Sequence, residues 1–237
     1  MLSIDKVFHA SVVLKNIVRD TAIVPTEGIT EDCQLFLKPE NLQKTGSFKL
    51  RGSGYKISML SDEEKQRGVI ACSAGNHAQG VALAATKSGV NSIICLPDSA
   101  PISKIEATKR YGAQVCLVEG VYDDAYNRAL ELKEERGYTF VHPFDDEDVI
   151  AGQGTIGLEI VQEMNDVDAV IVPIGGGGLI SGVAFAIKSM NPNIKVYGVQ
   201  AAGSPSMFNS VHEGSIGCLE SVSTIADGIA VKQPGEH

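Results

Sequence analysis

The most constraining feature of the chain is a run of 19 uncharged residues, AVIVPIGGGGLISGVAFAI, from Ala169 to Ile187. It is long enough for a helix across a bilayer, but Pro173 and four consecutive glycines interrupt it. In a helix interior each glycine costs about 1 kcal/mol relative to alanine, and the proline about 3 kcal/mol. The better reading is a buried parallel strand over Ala169–Ile174, a glycine turn, and a helix from about Leu179.

The rest of the chain repeats that alternation, the pattern of an α/β protein with parallel strands. Strands are expected at Gln34–Lys38, Val69–Cys72, Ser92–Leu96, Gln114–Val118, Thr139–Val141, Ala169–Ile174 and Lys195–Val199. Helical periodicity marks Lys49–Leu60, His77–Ser88, Ser103–Tyr111, Asp123–Arg136, Gly154–Met164 and Leu179–Ser189, and Ile4 to Val18 at the start. Gly89, Gly112 and Gly137 are stop signals. Ser61 with Glu64 reads as a capping box.

With 237 residues and 43% hydrophobic content the chain can bury a core, so disorder is excluded. The net charge of −9, spread along the chain, argues against nucleic-acid and anionic-membrane partners and for small molecules or other subunits. Five cysteines, none in a CxxC pair, lie mostly in apolar runs and suggest a reducing, cytoplasmic setting. The N-terminal segment carries Asp5 in a helical pattern and does not read as a signal peptide.

In α/β sheets ligands gather at the carboxyl ends of strands, and three loops there carry candidate chemistry. The first contains Lys44-Thr-Gly-Ser-Phe-Lys49 and puts Lys49 at a helix N-terminus, where the dipole disfavours its charge. A depressed pKa suits an imine-forming lysine; from spacing alone, a surface lysine beside an N-capping Ser47 is the simpler reading. The second, Ser73-Ala-Gly-Asn-His77, has free backbone N–H groups for a carboxylate and the Asn76 amide. His77 by itself is more often a structural residue at a helix start than a catalyst. The third, Gly175 to Gly178, can wrap an anion closely with the helix dipole behind it. It matches neither GxGxxG nor GxxxxGK[ST]. A phosphate cradle and a separate lysine point to pyridoxal phosphate.

In that order KTGSFKLRG, SAGNHAQG and GGGGL resemble the fold-type II pyridoxal-phosphate enzymes, and within them the threonine dehydratases. AGQGTIGLEI at 151–160, YGA at 111–113 and TIADGIAV at 224–231 extend the resemblance along nearly the whole chain. It implies two doubly wound open sheets, a smaller domain at 41–143 and a larger one from 1–40 and 144–237. It further implies that Lys49 carries the imine, that Phe48 packs beside the ring, and that Asn76 bonds its 3′-oxygen. Gly175, Gly176, Gly177, Gly178 and Leu179 would bind the phosphate. Ser73, Ala74, Gly75, Asn76 and His77 would bind the substrate carboxylate, with Gln153 on the substrate side. The implied reaction removes water and ammonia from L-threonine or L-serine, giving 2-oxobutyrate or pyruvate.

Serine racemase is the nearest alternative. Its family pattern needs a serine where this chain has Ala74, and a methyl group cannot transfer a proton; Ser73 lies one position away. A β-replacement enzyme fits the lysine loop less well. A catalytically incomplete cofactor-binding fragment is the other alternative, because the sequence stops at VKQPGEH, before the hydroxyl that meets the pyridine nitrogen in the family. An incomplete large domain implies lower solubility or self-association. The resemblance also implies a homo-oligomer and a nucleotide effector, with Thr45, Gly46 and Gln79 in regions able to contribute. Asp227 and Glu213 read as solvated acids, with no metal site expected.

Overall fold

The computed structural model describes residues 1–237 and opens with helix α1 (Ile4–Leu14), capped where Ser3 Oγ accepts the Lys6 N–H at 3.2 Å. Strands β1 (Val24–Thr26) and β2 (Leu35–Leu37) then pair antiparallel. Only β2 is expected from the sequence; β1 is too short to display alternation. Helix α2 (Lys49–Ser58) and the short α3 (Asp62–Arg67) follow, and the Ser61–Glu64 capping box is present.

Next come β3 (Val69–Cys72), α4 (Asn76–Lys87), β4 (Ser92–Pro97), α5 (Ile102–Arg110), β5 (Gln114–Val118), α6 (Tyr122–Arg136) and β6 (Thr139–Phe140). The strands form a parallel sheet in the order β5-β4-β3-β6, and Gly137 ends α6 at a φ of 69°. One face packs Ala71, Ile94 and Leu96 against Val81 and Ala85 of α4. The other packs Ile70, Cys72 and Cys95 against Ala125, Ala129 and Leu132 of α6. Burial on both faces accounts for the continuous apolar runs of β3 and β4.

The chain continues through α7 (Glu147–Glu163), β7 (Ala169–Pro173), α8 (Gly178–Met190), β8 (Lys195–Val199) and α9 (Ser206–Glu213), with β7 and β8 parallel. The uncharged run thus divides as expected, and no helix is long and apolar enough to cross a membrane. Helix α7 begins well before the expected Gly154, because Asp146 caps it by accepting the N–H groups of Asp148 and Val149 at 2.8 and 3.1 Å. Gly152 and Gly154 do not break it. A Cβ on Gly152 would lie 2.6 Å from the Arg51 carbonyl oxygen of α2, and one on Gly182 of α8 would lie 2.7 Å from the Gly154 nitrogen. These glycines let the backbones of α2, α7 and α8 touch.

All five cysteines are free. Cys72 and Cys95 are buried, but Cys33 and Cys218 are exposed, against the expectation of mostly buried thiols. Both lie in short irregular segments, away from the apolar strands that bury Cys72 and Cys95 and half-bury Cys116.

Arg51 is fully buried and donates to Glu40 at 2.8 Å, to Glu159 at 2.9 Å and to Thr155 at 3.1 Å. Burial alone would lower its pKa; bonds to the two carboxylates reverse that and raise it. Asp20, Glu159 and Glu163 cluster closely enough to suggest a cation site, but the Lys38 ammonium already sits among them, 2.8 Å from Glu159 and 2.9 Å from Glu163.

Candidate active site

Lys49 is the first residue of α2, its backbone N–H held by Ser47 Oγ at 3.3 Å, and Phe48 precedes it. Its Nζ donates to the Pro143 carbonyl at 2.6 Å and lies 5.3 Å from the centre of the Phe48 ring. No carboxylate pairs with it. Loss of water around the ammonium brings its pKa down to about 8.

The glycine loop joins β7 to α8. The backbone N–H groups of Gly175, Gly176, Gly177, Gly178, Leu179 and Ile180 donate to no protein acceptor. Gly176, Gly177 and Gly178 are nevertheless buried. A row of donors at the start of a helix, withdrawn from the open surface and without partners, fits a phosphate. Close packing on the protein side also explains the glycines. A Cβ on Gly176 would lie 2.4 Å from the Phe144 ring, and one on Gly178 would lie 2.5 Å from the Phe144 carbonyl oxygen. Gly177 has a φ of 106°, which a side chain resists.

The Ser73–His77 loop leaves the end of β3. Ser73 Oγ accepts the Gly75 N–H at 3.1 Å, and the Ser73 N–H donates to the Cys95 carbonyl at 3.2 Å. The N–H groups of Asn76, His77 and Ala78 have no acceptor, and the Asn76 side chain is exposed and unbonded. Ala74 packs against the apolar core of the four-stranded sheet. His77 is buried, with Nε2 2.8 Å from the Val141 carbonyl oxygen, and its pKa falls to about 3 through burial and the nearby Lys49 charge.

Gln153 sits in the contact between α2 and α7, 1% exposed, with both amide atoms unpartnered. It lies against Gly52, where a Cβ would come too close to Nε2. Thr45 and Gly46 lie in the turn before Lys49, Gly46 with a φ of 71°, and Gln79 is in the first turn of α4 beside Asn76.

The three loops meet along one segment that the sequence reading does not single out. Val141 bonds His77, Pro143 bonds Lys49, and Phe144 packs on Gly176 and Gly178. The segment follows β6, so the rule that ligands gather at strand carboxyl ends applies to it too. Its sequence, His142-Pro-Phe-Asp145, lacks the glycines that draw attention elsewhere.

The sequence pattern of the pyridoxal-phosphate dependent enzymes matches residues 14–237. The chain is 53% identical to the L-threonine ammonia-lyase of Thermotoga maritima, over all of this chain and 59% of that protein. It is 47% identical to the catabolic L-threonine dehydratase TdcB of Escherichia coli, over 99% of this chain and 72% of that one. Among solved structures, the processed form of threonine deaminase isoform 2 from Solanum lycopersicum superposes with a TM-score of 0.93 at 42% identity, covering 98% of this chain and 66% of that one. Maize serine racemase superposes at 0.96 with 37% identity, covering 99% and 72%. The chain thus spans about three-fifths of its Thermotoga relative. With a half-buried lysine that has no carboxylate partner, a row of free N–H donors and a family match over nearly its full length, this chain belongs to the pyridoxal-phosphate dependent enzymes.

Proposed function

We propose that the protein is a lyase that removes water and ammonia from L-threonine, and from L-serine, to give 2-oxobutyrate or pyruvate. The observation that carries this is the Lys49 amine, desolvated, without a carboxylate partner, and linked through Pro143 and Phe144 to the free donors of the glycine loop. Relatives named threonine ammonia-lyase and threonine dehydratase, at 47 to 53% identity, support the substrate class.

When bound, pyridoxal phosphate supplies an aldehyde for an amine and a ring that withdraws electrons from the substrate α-carbon. The N–H groups of Gly175 to Leu179 would hold its phosphate, Phe48 would flank its ring, and Asn76 would meet its 3′-oxygen. The free N–H groups of Asn76, His77 and Ala78 would take the substrate carboxylate. Lys49 Nζ is the base: with a pKa of about 8 a useful fraction is unprotonated near neutral pH, free to accept the α-proton. Gln153, with two unpartnered amide atoms, would face the substrate side.

Racemisation needs a second proton-transferring group. Ala74 offers none, and Ser73 Oγ is turned back onto its own loop, where it accepts the Gly75 N–H at 3.1 Å. The division into a smaller unit at 41–143 and a larger one is supported by the separate apolar clusters around β3–β6 and around α7 and α8.

The test is to add pyridoxal phosphate, reduce with borohydride, map the adduct, and assay 2-oxobutyrate from threonine. An adduct at Lys49 with 2-oxobutyrate release is expected, and Lys49→Ala should lose both. D-Serine formed from L-serine without pyruvate would overturn elimination in favour of racemisation.

A further inference from the structure

His77, Val141, Pro143 and Lys49 form a line of contacts that none of the three loop motifs requires. His77 stands in the first turn of α4, 3% exposed, with Nε2 2.8 Å from the Val141 carbonyl oxygen. A carbonyl oxygen only accepts, so this nitrogen carries the proton and donates. Val141 gives its own N–H to the Ile70 carbonyl of β3 at 2.9 Å, so it is fixed on both sides as the chain leaves the sheet. His142 Nδ1 then accepts the N–H groups of Phe144 and Asp145 at 3.3 and 2.7 Å, closing a turn around Pro143. Proline fixes its own φ and has no N–H to divert. Its carbonyl is thereby set 2.6 Å from Lys49 Nζ.

An unprotonated amine has two N–H bonds and one lone pair. With one N–H tied to a fixed carbonyl, rotation about Cε–Nζ is restricted and the lone pair keeps to a narrow range of directions. Orientation of that kind raises rate without altering basicity.

We propose that His77 is a positioning residue for Lys49: through Val141 it sets the Pro143 carbonyl, and that carbonyl aims the lone pair of the lysine amine. This rests on Lys49 being the imine-forming residue. The titratable groups facing Lys49 are His77 from α4 and His142 from the Pro143 turn, both held below the ordinary histidine value, by burial first and with the Lys49 charge acting in the same direction. Neither is a carboxylate that could bind the ammonium in place of the carbonyl.

The experiment follows the absorbance of the imine formed between the full chain and pyridoxal phosphate, as a function of pH, in wild type, His77→Leu and His77→Gln. For wild type the rate should rise with a midpoint near 8. His77→Leu should slow imine formation roughly tenfold, the loss expected for one orienting hydrogen bond. The midpoint should stay near 8, since orientation leaves basicity alone. His77→Gln places an amide N–H within reach of the same carbonyl and should restore the rate. A purely structural role would lower the melting temperature of His77→Leu and either leave the rate in place or, by letting water reach the amine, move the midpoint up toward 10.5, and either result overturns the proposal. Should His77→Leu not fold, nitrogen NMR of the wild-type histidines decides. A neutral ring protonated at Nε2 down to about pH 5 supports the proposal. A His77 ring that titrates near 6.5, or that carries its proton on Nδ1, overturns it. No imine in wild type overturns the functional reading and the positioning role with it; an imine indifferent to His77→Leu overturns the positioning role alone.

Discussion

Gly176 offers a direct test of why the loop between β7 and α8 is built from glycine. A Cβ there would lie 2.4 to 2.5 Å from three atoms of the Phe144 ring, against the usual carbon–carbon contact of about 3.5–4.0 Å. Its φ is not in the left-handed region, so alanine adds no backbone strain and the clash stands alone. Relieving an overlap of about 1 Å with a half-buried ring costs about 1–3 kcal/mol. With a urea slope of about 2 kcal/mol per molar, Gly176→Ala should lower the unfolding midpoint by about 0.5–1.5 M. In a Phe144→Ala background the ring is gone and most of that penalty should vanish. Gly178→Ala is the control, because its Cβ would meet the Phe144 carbonyl oxygen at 2.5 Å and backbone remains after truncation. Its penalty should persist in both backgrounds. The measurement is a double-mutant cycle from urea curves, with an expected coupling of about 1–2 kcal/mol for the pair 144 and 176. An equal cost for Gly176→Ala with and without the ring would refute the packing explanation.

Three further outcomes follow from burial. Lys49 has a pKa of about 8 folded against 10.5 when free, so the unfolded chain binds more protons between those values and stability rises with pH across them. Below about 8 the buried ammonium opposes folding, and Lys49→Met should stabilise the cofactor-free protein by about 2–3 kcal/mol at neutral pH in urea unfolding; a loss of stability would contradict this. His77 stays neutral in the folded state down to about 3 but protonates below 6.5 when unfolded, so stability falls as pH drops through that window. The fall should be steeper in wild type than in His77→Gln by up to about 1.4 kcal/mol per pH unit, and parallel curves would show that the ring is not buried as described. Cys33 and Cys218 should label rapidly with a thiol reagent while Cys72 and Cys95, buried and pushed up to about 12, label only on unfolding; early labelling of Cys95 in mass spectra would contradict the sheet packing.

The order of strands and helices was legible in the sequence where residues on one element set the outcome alone. The apolar runs of β3, β4 and β7, the capping box at Ser61, and the stop at Gly137 are local signals, and each element appears where its signal lies. The misses have tertiary causes. Helix α7 runs through Gly152 and Gly154 because α2 and α8 press against them, and a sequence shows no neighbours. Strand β1 exists through its pairing with β2 and has too few residues for a pattern of its own. At the site, glycines and lysine advertise themselves by type, whereas Pro143 acts through a backbone carbonyl that every residue possesses. Phe144 matters for where its ring rests, and its type alone suggests only core.

The glycine contacts of α7 have a mechanical consequence. Lys49 begins α2 and Gly178 begins α8, and α7 touches both helices backbone to backbone at Gly152 and around Gly182. Side chains at a helix interface can change rotamer and let the helices slide; main chains in contact have no such compliance. The distance from the lysine to the glycine loop is therefore held as a stiff gauge. On the proposed reading, in which Lys49 and the glycine loop hold the two ends of one rigid molecule, a frame that cannot stretch keeps both ends matched to it.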